Sequence, residues 1–339
     1  MNESVLLKTK HLTKFFPVKT GVFRRTSGWV KAVDDVSFQV YPGETFGIVG
    51  ESGCGKSTLG MTILRLIEPT SGSVFFEDRD VTTLSSSQLL RFRKNIQMIF
   101  QDPFSSLNPR MRVGSIIGEG MTVHGVGARS NREFIVRTLL EKVGLQADSF
   151  DRYPHEFSGG QRQRIGIARA LAISPKLIIA DEAVSALDVS IRSQIINLMA
   201  DLKTEFQLTY LFISHDLSVV KHLCDRIMVM YLGKTMEITT REILFCRPLH
   251  PYTVSLISAV PVPDPDYHIN RILLLGDVPS PVHPPSGCRF HTRCPVTRKK
   301  CETDEPLLIE QEPFHFVACH YPGTLAISVP LILTSDSTL

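Results

Sequence analysis

A strand, a glycine-rich octapeptide and a helix follow one another early in the chain, and this order restricts the fold more than any other feature. Phe46–Val49 is an apolar strand run after the turn residues Tyr41–Glu44. The octapeptide Gly50–Ser57 reads G-E-S-G-C-G-K-S and matches the pattern G-x-x-x-x-G-K-[ST]. The spacing of leucines and isoleucines predicts a helix over residues 57–67. Strands that alternate with helices predict an open parallel sheet with helices on both faces.

The octapeptide has the chemistry of a phosphate-binding loop. Its glycines let successive N–H groups face one anion, and the following helix directs its positive N-terminus to the same place. We expect Lys56 to reach the β- and γ-phosphates, Ser57 to ligate Mg²⁺ and Thr58 to contact the α-phosphate. A chance match is expected in only about one chain in a hundred of this length, so an accidental glycine turn is the weaker interpretation. The predicted nucleotide contacts are Gly50, Ser52, Gly53, Gly55, Lys56, Ser57 and Thr58.

Two acidic residues directly follow the apolar run Leu177–Ala180. Ligands of open parallel sheets bind at the carboxyl ends of strands. Asp181 is therefore expected to hold Mg²⁺, and Glu182 to polarise the attacking water as a general base. The alternative is a strand that ends in solvent, which is common for acids in isolation. Other predicted elements are strands at Ile96–Phe100 and Thr209–Ile213 and helices at 131–144, Gln161–Ile173 and Val189–Phe206.

The segment Phe157–Arg164, F-S-G-G-Q-R-Q-R, selects among phosphate-binding families. Ser158, Gly159 and Gly160 form a second glycine-rich helix start, and the simplest alternative is a serine N-cap with a flexible glycine pair. The segment matches the signature of ABC ATPases, and the chain resembles that family in its order of motifs. The resemblance implies that this segment caps the γ-phosphate of ATP held by a second ATPase domain.

The resemblance also implies the fold and further site residues. The fold is then α/β, a P-loop NTPase core of the ABC type, with a helical subdomain and a small loop-rich C-terminal extension. Gln101 resembles the Q-loop glutamine that contacts Mg²⁺ and water, Asp188 ends the D-loop, and His215 resembles the switch histidine. Ala183 stands where the family usually has proline, and we expect hydrolysis to survive this change because proline only stiffens the turn.

Phe16 is the candidate for stacking on adenine. Residues 17–30 resemble an insertion, so three other aromatic residues compete for this role. They are Phe15, Phe23 and Trp29.

Three segments resemble the oligopeptide/dipeptide importer branch of the family: Gln101–Arg110, Ala183–Ile191 and His250–Thr253. That branch implies two membrane permease subunits, a second and often different ATPase subunit, and an extracytoplasmic binding protein. The chain itself is then peripheral, on the cytoplasmic face of the inner membrane. Nickel and glutathione importers share these segments, so the imported molecule stays open.

Composition and domain organisation are consistent with this assignment. A net charge of +3 is too small to argue for nucleic acid. No apolar stretch approaches the roughly 20 residues of a membrane span, and Met1–Lys10 lacks the apolar centre of a signal peptide. We expect an ATPase domain over 1–235, with its helical subdomain at about 102–165, and a proline-rich extension over 236–339. A soluble ABC ATPase without a transport role and a non-hydrolysing regulatory subunit are the weaker alternatives.

The extension carries four cysteines at the spacing C-x₅-C-x₆-C-x₁₇-C: Cys288, Cys294, Cys301 and Cys319. Four thiolates suit Zn²⁺ or an iron–sulfur cluster. The spacing has no C-x₂-C pair, which argues mildly against a zinc ribbon, and related importer tails imply a [4Fe–4S] cluster. Free cysteines are the alternative. Nearby histidines that offer other ligands are His283, His291, His315 and His320.

Overall fold

A computed structural model describes residues 4–21, 25–102, 104–260 and 271–325. The strands are β1 Leu7–Thr20, β2 Arg25–Val40, β3 Thr45–Val49, β4 Ser71–Phe76, β5 Arg79–Asp80, β6 Ile96–Ile99, β7 Leu177–Asp181, β8 Thr209–Ser214, β9 Arg226–Tyr231, β10 Lys234–Thr240, β11 Ile309–Glu312 and β12 His315–Val317. The helices are α1 Lys56–Ile63, α2 Ser86–Asn95, α3 Val113–Val123, α4 Arg132–Lys142, α5 Gly159–Leu171, α6 Val189–Phe206, α7 Leu217–Leu223, α8 Arg241–Cys246, α9 Pro251–Ser258 and α10 Lys299–Thr303.

The described residues form two compact units. The first unit comprises residues 4–6, 40–45 and 76–214, and the second comprises 7–39, 46–75 and 215–325. The phosphate loop and the cysteines belong to the second unit. The acidic strand end and the signature segment belong to the first. The predicted domain bounds of 1–235 and 236–339 stay a prediction.

The first unit contains three parallel strands and a group of helices. β7 pairs with β6 on one side and with β8 on the other, both in parallel. All five residues of β7 are buried, as expected for a strand covered on both faces. α3 packs on α4 and α5 within the same unit. The predicted parallel α/β arrangement is confirmed for these elements.

The second unit combines the strand before the phosphate loop with strands from the end of the chain. β3 pairs in parallel with β9, and β9 pairs antiparallel with β10. β12 then pairs antiparallel with β10, and β11 with β12. Two strands from the proline-rich extension therefore share a sheet with the strand that precedes the phosphate loop. β1, β2 and β4 belong to a different sheet, in the order β2-β1-β4.

Several predicted element bounds need correction. The helix predicted over 57–67 ends at Ile63, because Arg65 adopts a left-handed φ of 49° and the Leu66 amide bonds back to the Met61 carbonyl. This pattern of left-handed residue and backward hydrogen bond is a common way to end a helix. The helix predicted over Gln161–Ile173 begins two residues earlier and ends two residues earlier.

The helix predicted over 131–144 is α4, Arg132–Lys142, and one large apolar residue of this helix lies outside its buried face. Phe134 is 74% exposed, whereas Val136, Leu139 and Leu140 are buried. Those three residues lie three and four positions apart and define the face that packs. Phe134 is two positions from Val136 and therefore lies outside that face.

Candidate nucleotide site and cysteine cavity

The phosphate loop has a shape that only glycine permits at two positions. A Cβ on Gly55 would lie 1.9 Å from the Ala32 carbonyl oxygen, and a Cβ on Gly50 would lie 2.2 Å from the Met230 carbonyl oxygen. Both glycines also have positive φ angles, of 107° and 154°. Any side chain there would overlap backbone atoms, so the loop stays narrow and its N–H groups stay near one another.

Lys56 is the first residue of α1 and is only 4% exposed. Its ammonium donates to the Gly50 carbonyl at 2.8 Å and to the Glu51 carbonyl at 3.1 Å. Gly55, at the N-cap, brings no side chain to satisfy the first N–H groups of the helix. The loop therefore combines open backbone donors with a buried cation, which is the arrangement that binds phosphate. Ser57 and Thr58 follow in the first turn and are partly exposed.

The two acidic residues lie at the carboxyl end of β7, as the sequence predicts. Asp181 ends β7 and is 4% exposed, and Glu182 follows it with a left-handed φ of 45°. Gln101 Nε2 donates to Glu182 Oε2 at 2.8 Å, and the Glu182 N–H donates to the Ile213 carbonyl at 2.9 Å. The structure thus brings together Gln101 and Glu182, which are 81 residues apart.

The turn after Glu182 forms without a proline. The Ser185 N–H and hydroxyl both donate to the Glu182 carbonyl, at 3.1 and 2.9 Å. Ala183 is buried in this turn. Asp188 is exposed and forms the N-cap position of α6.

The signature segment begins α5. The Ser158 hydroxyl accepts from the Gln161 N–H at 3.4 Å, and the Gln161 side chain accepts from the Ser158 N–H at 3.0 Å. This reciprocal pair is a capping box. Ser158 is exposed, and Gly159 and Gly160 are half-buried. The N-cap interpretation is confirmed, whereas contact with a second nucleotide stays a prediction.

The remaining nucleotide candidates lie in the second unit. His215 directly follows β8 and is exposed. Phe16 lies on β1, half-buried, with the Lys14 ammonium 4.9 Å from its ring centre. The Lys31 ammonium lies 5.8 Å from the Phe15 ring centre. Trp29 lies half-exposed on β2. Phe23 lies outside the described residues, and adenine stacking stays a prediction.

Of residues 17–30, which resemble an insertion, the described residues 17–20 and 25–30 lie in strands. β1 continues to Thr20 and β2 starts at Arg25.

The four cysteines of the extension surround one small cavity of about 20 Å³. Burial is the largest cause that raises the pKa of Cys288, to about 12, and the other three thiols contribute to this rise because thiolates repel one another. Burial also raises the pKa of Cys319, to about 11, with the same contribution from its neighbours Cys294 and Cys301. At neutral pH these thiols stay protonated unless a cation stabilises their thiolates.

The histidines near this cavity were predicted as possible further ligands, and the structure shows which of them line it. His291 and His320 line it, as does His250, which the sequence did not suggest as a ligand. His315 pairs instead with the buried Glu237, at 2.7 Å. Over the described ranges, no group of three or more His, Cys, Asp or Glu side chains has the geometry to hold a metal ion. The described residues therefore show no preformed metal site, and the predicted [4Fe–4S] cluster stays a prediction.

Two further residues contact the phosphate loop, and sequence reasoning missed their role. Arg293 donates to both carboxylate oxygens of Glu51, at 2.8 and 3.2 Å, and the Tyr252 hydroxyl accepts from the Glu51 N–H at 2.9 Å. No local signal could have paired residues separated by 242 and 201 positions. Tyr252 belongs to the His250–Thr253 segment, which indicated the branch but not this contact.

Comparison with known proteins gives concordant matches over nearly the whole chain. Residues 33–185 match the family model described as ABC transporter, and residues 236–301 match that described as oligopeptide/dipeptide transporter, C-terminal region. The oligopeptide transport ATP-binding protein AppF of Bacillus subtilis is 56% identical over 322 residues, which are 94% of this chain and 98% of that protein. A putative peptide import ATP-binding protein of Brucella ovis is 52% identical over 319 residues, 94% of this chain and 98% of that protein.

Solved structures support the same fold. The ATP-binding cassette MJ0796, in a dimeric post-hydrolysis state with ADP and Pi, has a TM-score of 0.62 and 28% identity, covering 69% of this chain and 98% of its own. CbiO1 of Clostridium perfringens, part of an ABC transporter complex, has a TM-score of 0.61 and 25% identity, covering 72% and 92%. No helix in the described part of the chain combines the length and apolarity needed to cross a membrane. The chain belongs to the ABC transporter ATPases, in the group of oligopeptide and peptide transport ATP-binding proteins.

Proposed function

We propose that this chain hydrolyses ATP to drive the uptake of oligopeptides or dipeptides. It works with two membrane permeases, a second and different ATPase subunit, and an extracytoplasmic binding protein, at the cytoplasmic face of the inner membrane. One observation carries the proposal. The match to an oligopeptide transport ATP-binding protein extends through the C-terminal region, which is what separates this branch from other ABC ATPases.

The phosphate loop holds the triphosphate of the substrate. The N–H groups from Gly50 to Thr58 and the buried Lys56 ammonium face the phosphate oxygens, so binding requires the ammonium to exchange its loop carbonyls for phosphate. Ser57 and Asp181 offer the hard oxygen ligands that Mg²⁺ prefers. When bound, Mg²⁺ neutralises charge on the β- and γ-phosphates.

Glu182 and Gln101 act on the attacking water. Glu182 accepts a proton from water while the water oxygen attacks the γ-phosphorus and the bond to ADP breaks. The 2.8 Å hydrogen bond from Gln101 restrains the Glu182 carboxylate before substrate is bound. His215 is proposed to donate to the γ-phosphate, and Phe16 to stack on adenine.

The signature segment serves a second ATPase subunit. Ser158 is exposed at the start of a 13-residue helix, and a helix N-terminus attracts anions. The Ser158 hydroxyl and the N–H groups of Gly159 and Gly160 are proposed to face ATP bound to the partner ATPase. The turn that ends at Asp188 is proposed to lie at the same subunit interface. Each active site is then built from two subunits. The isolated chain should therefore bind ATP but hydrolyse it only slowly.

Reconstitution tests this function. The chain is assembled in lipid nanodiscs with its proposed permeases and second ATPase, and ATP turnover is measured with the proposed binding protein present. Peptide should stimulate turnover, and Glu182→Gln should lower stimulated turnover by about 10²–10⁴-fold while ATP still binds. Stimulation by nickel or glutathione, but not peptide, would reassign the substrate. Unchanged turnover in Glu182→Gln would refute the role of Glu182.

The cysteine cavity is proposed to hold a [4Fe–4S] cluster. The chemistry of the donor set supports the proposal, because four thiols line one cavity and four cysteine sulfurs are the ligands that such a cluster takes. Cys288, Cys294, Cys301 and Cys319 would hold the cluster, which would tie these four positions of the extension together. The cavity of about 20 Å³ has room for about one water molecule.

Metal analysis of anaerobically purified protein tests the cluster. The wild-type chain should carry about four iron atoms and absorb visible light. Cys294→Ser should lose both signals. The matched control Cys246→Ser should keep both, because that exposed cysteine lies at the end of α8. Zinc in place of iron, or iron-free protein with four titratable thiols, would overturn the proposal.

A further inference from the structure

Two side chains of the C-terminal extension hold one residue of the phosphate loop. Arg293 forms a two-point ion pair with the Glu51 carboxylate, and its side chain is 9% exposed against 27% for Glu51. Tyr252, fully buried, accepts from the Glu51 N–H at 2.9 Å. The side chain and the backbone of Glu51 are thus fixed independently. Paired hydrogen bonds between a guanidinium and a carboxylate fix orientation as well as distance.

Glu51 is also connected to the residue that meets the phosphates. Its carbonyl accepts from Lys56 Nζ at 3.1 Å and from the Cys54 N–H at 3.3 Å. The N–H, the carbonyl and the carboxylate of Glu51 therefore each have a partner. A rotation of this residue would move a carbonyl that positions Lys56.

Both side chains belong to, or contact, a cluster of packed aromatic rings. The rings of Tyr231, Tyr252 and Phe290 lie with their centres 4.8 to 5.4 Å apart. Arg293 follows Phe290 by one short helical turn, and its guanidinium also donates to the Tyr231 hydroxyl at 3.4 Å. The contacts to Glu51 thus rest on a packed cluster, and a packed cluster resists small displacements.

We propose that Arg293 and Tyr252 are positioning residues for ATP binding. They hold Glu51 so that the phosphate loop keeps its N–H groups and Lys56 directed toward the phosphates. Neither touches the nucleotide. The inference rests on the proposed function in one respect, namely that the loop Gly50–Ser57 binds ATP. It makes the C-terminal extension part of the nucleotide-binding apparatus.

Equilibrium titration of the full-length chain with a fluorescent ATP analogue tests this role. Arg293→Ala should weaken binding about tenfold, because it leaves Glu51 without its buried partner. Arg293→Lys should recover part of the loss, since a lysine keeps the charge but not the two-point geometry. Tyr252→Phe, which removes only one hydroxyl, should weaken binding about threefold to fivefold.

Double variants separate positioning from general damage. In a Glu51→Ala background, Arg293→Ala should have less than about a twofold further effect, because its partner is already gone. Tyr252→Phe should keep its effect there, because it bonds the Glu51 backbone. Arg247→Ala is the matched control. It removes an ion pair with Glu312 within the same extension and should leave ATP affinity unchanged.

The outcomes distinguish this inference from the proposed function. Retained affinity in Lys56→Ala would overturn ATP binding by the loop itself. Loss in Lys56→Ala together with unchanged affinity in Arg293→Ala and Tyr252→Phe would overturn only the positioning role. Independent, additive effects of Glu51→Ala and Arg293→Ala would also overturn it. Should Arg293→Ala fail to fold, as judged by circular dichroism, Tyr252→Phe and Arg293→Lys carry the test.

Discussion

The phosphate loop and the signature segment are both glycine-rich helix starts, yet the protein treats them differently. The phosphate loop is confined by backbone along most of its length: Gly50, Cys54 and Lys56 are buried, and a Cβ at Gly55 would overlap a backbone carbonyl, while Ser52 and Gly53 at its tip are exposed. The signature segment is more open at its start, where Ser158 is exposed and a Cβ on Gly159 would approach nothing closer than 3.7 Å, the distance to a Leu187 methyl carbon. A Cβ on the next residue, Gly160, would lie 2.5 Å from a side-chain carbon of Ile191.

This difference shows what each segment depends on. The phosphate loop is shaped by contacts from elsewhere in its own unit, including Tyr252 and Arg293. The signature segment is shaped by a capping box formed within four residues, Ser158 to Gln161. A segment whose conformation is fixed locally keeps an exposed face for another molecule. A segment fixed by distant parts of its own chain has its conformation set before any partner binds.

The largest expected difference between the two segments appears when one methyl group is added to a glycine of each. Gly55→Ala should destabilise the folded chain by about 4 kcal/mol or more, because the methyl group collides with backbone at a φ of 107°. Gly159→Ala should change stability by less than about 1 kcal/mol, since space is available and alanine favours helix. Urea unfolding of both variants measures this. Equal losses would contradict the contrast between a confined and a more open segment.

An intermediate effect should come from charge at the signature segment. Asp is as good an N-cap as Ser, so Ser158→Asp should preserve stability and ATP binding by the isolated chain. In the assembled transporter its carboxylate would face the partner's γ-phosphate, and turnover should fall about 100-fold. ATP titration of the isolated chain and ATPase assays on the complex give the two readings. Full turnover in the complex would show that this segment meets no nucleotide.

The smallest expected effect concerns the cap alone. Ser158→Ala removes the acceptor of the Gln161 N–H and should cost about 1 kcal/mol of helix stability. Thermal unfolding followed by circular dichroism measures it, with Ser158→Asp as the variant that keeps the cap. A loss as large as that of Gly55→Ala would mean that long-range contacts also hold the signature segment.

The contrast also explains how far the sequence could predict this molecule. Both segments were identified from residues that lie next to one another, and so were the fully buried β7 and the bounds of α6. Contacts between distant residues were missed. No residue near Glu51 in the sequence indicates its contact with Arg293. The sequence also does not indicate that β12, in the proline-rich tail, pairs with β10.

Two errors about single helices arose because the spacing of apolar residues does not determine where a helix ends or which of its apolar residues are buried. Leu66 and Ile67 continue the apolar pattern of α1, but the left-handed Arg65 ends the helix before them. Phe134 looks like a core residue, yet it lies off the face of α4 that packs. In both cases backbone conformation or helix rotation decided the outcome, and neither is visible in a count of apolar residues.

The 242 positions between Glu51 and Arg293 also have a consequence during synthesis. At about 5–20 residues per second, a ribosome adds Arg293 roughly 12–50 s after Glu51. Once residue 182 has been added, the growing chain contains the phosphate loop, the signature segment and the acidic strand end, but not the arginine that pairs with Glu51. A nascent chain that stalls between residues 182 and 293 therefore carries the sequence motifs of an ABC ATPase without this contact to its phosphate loop.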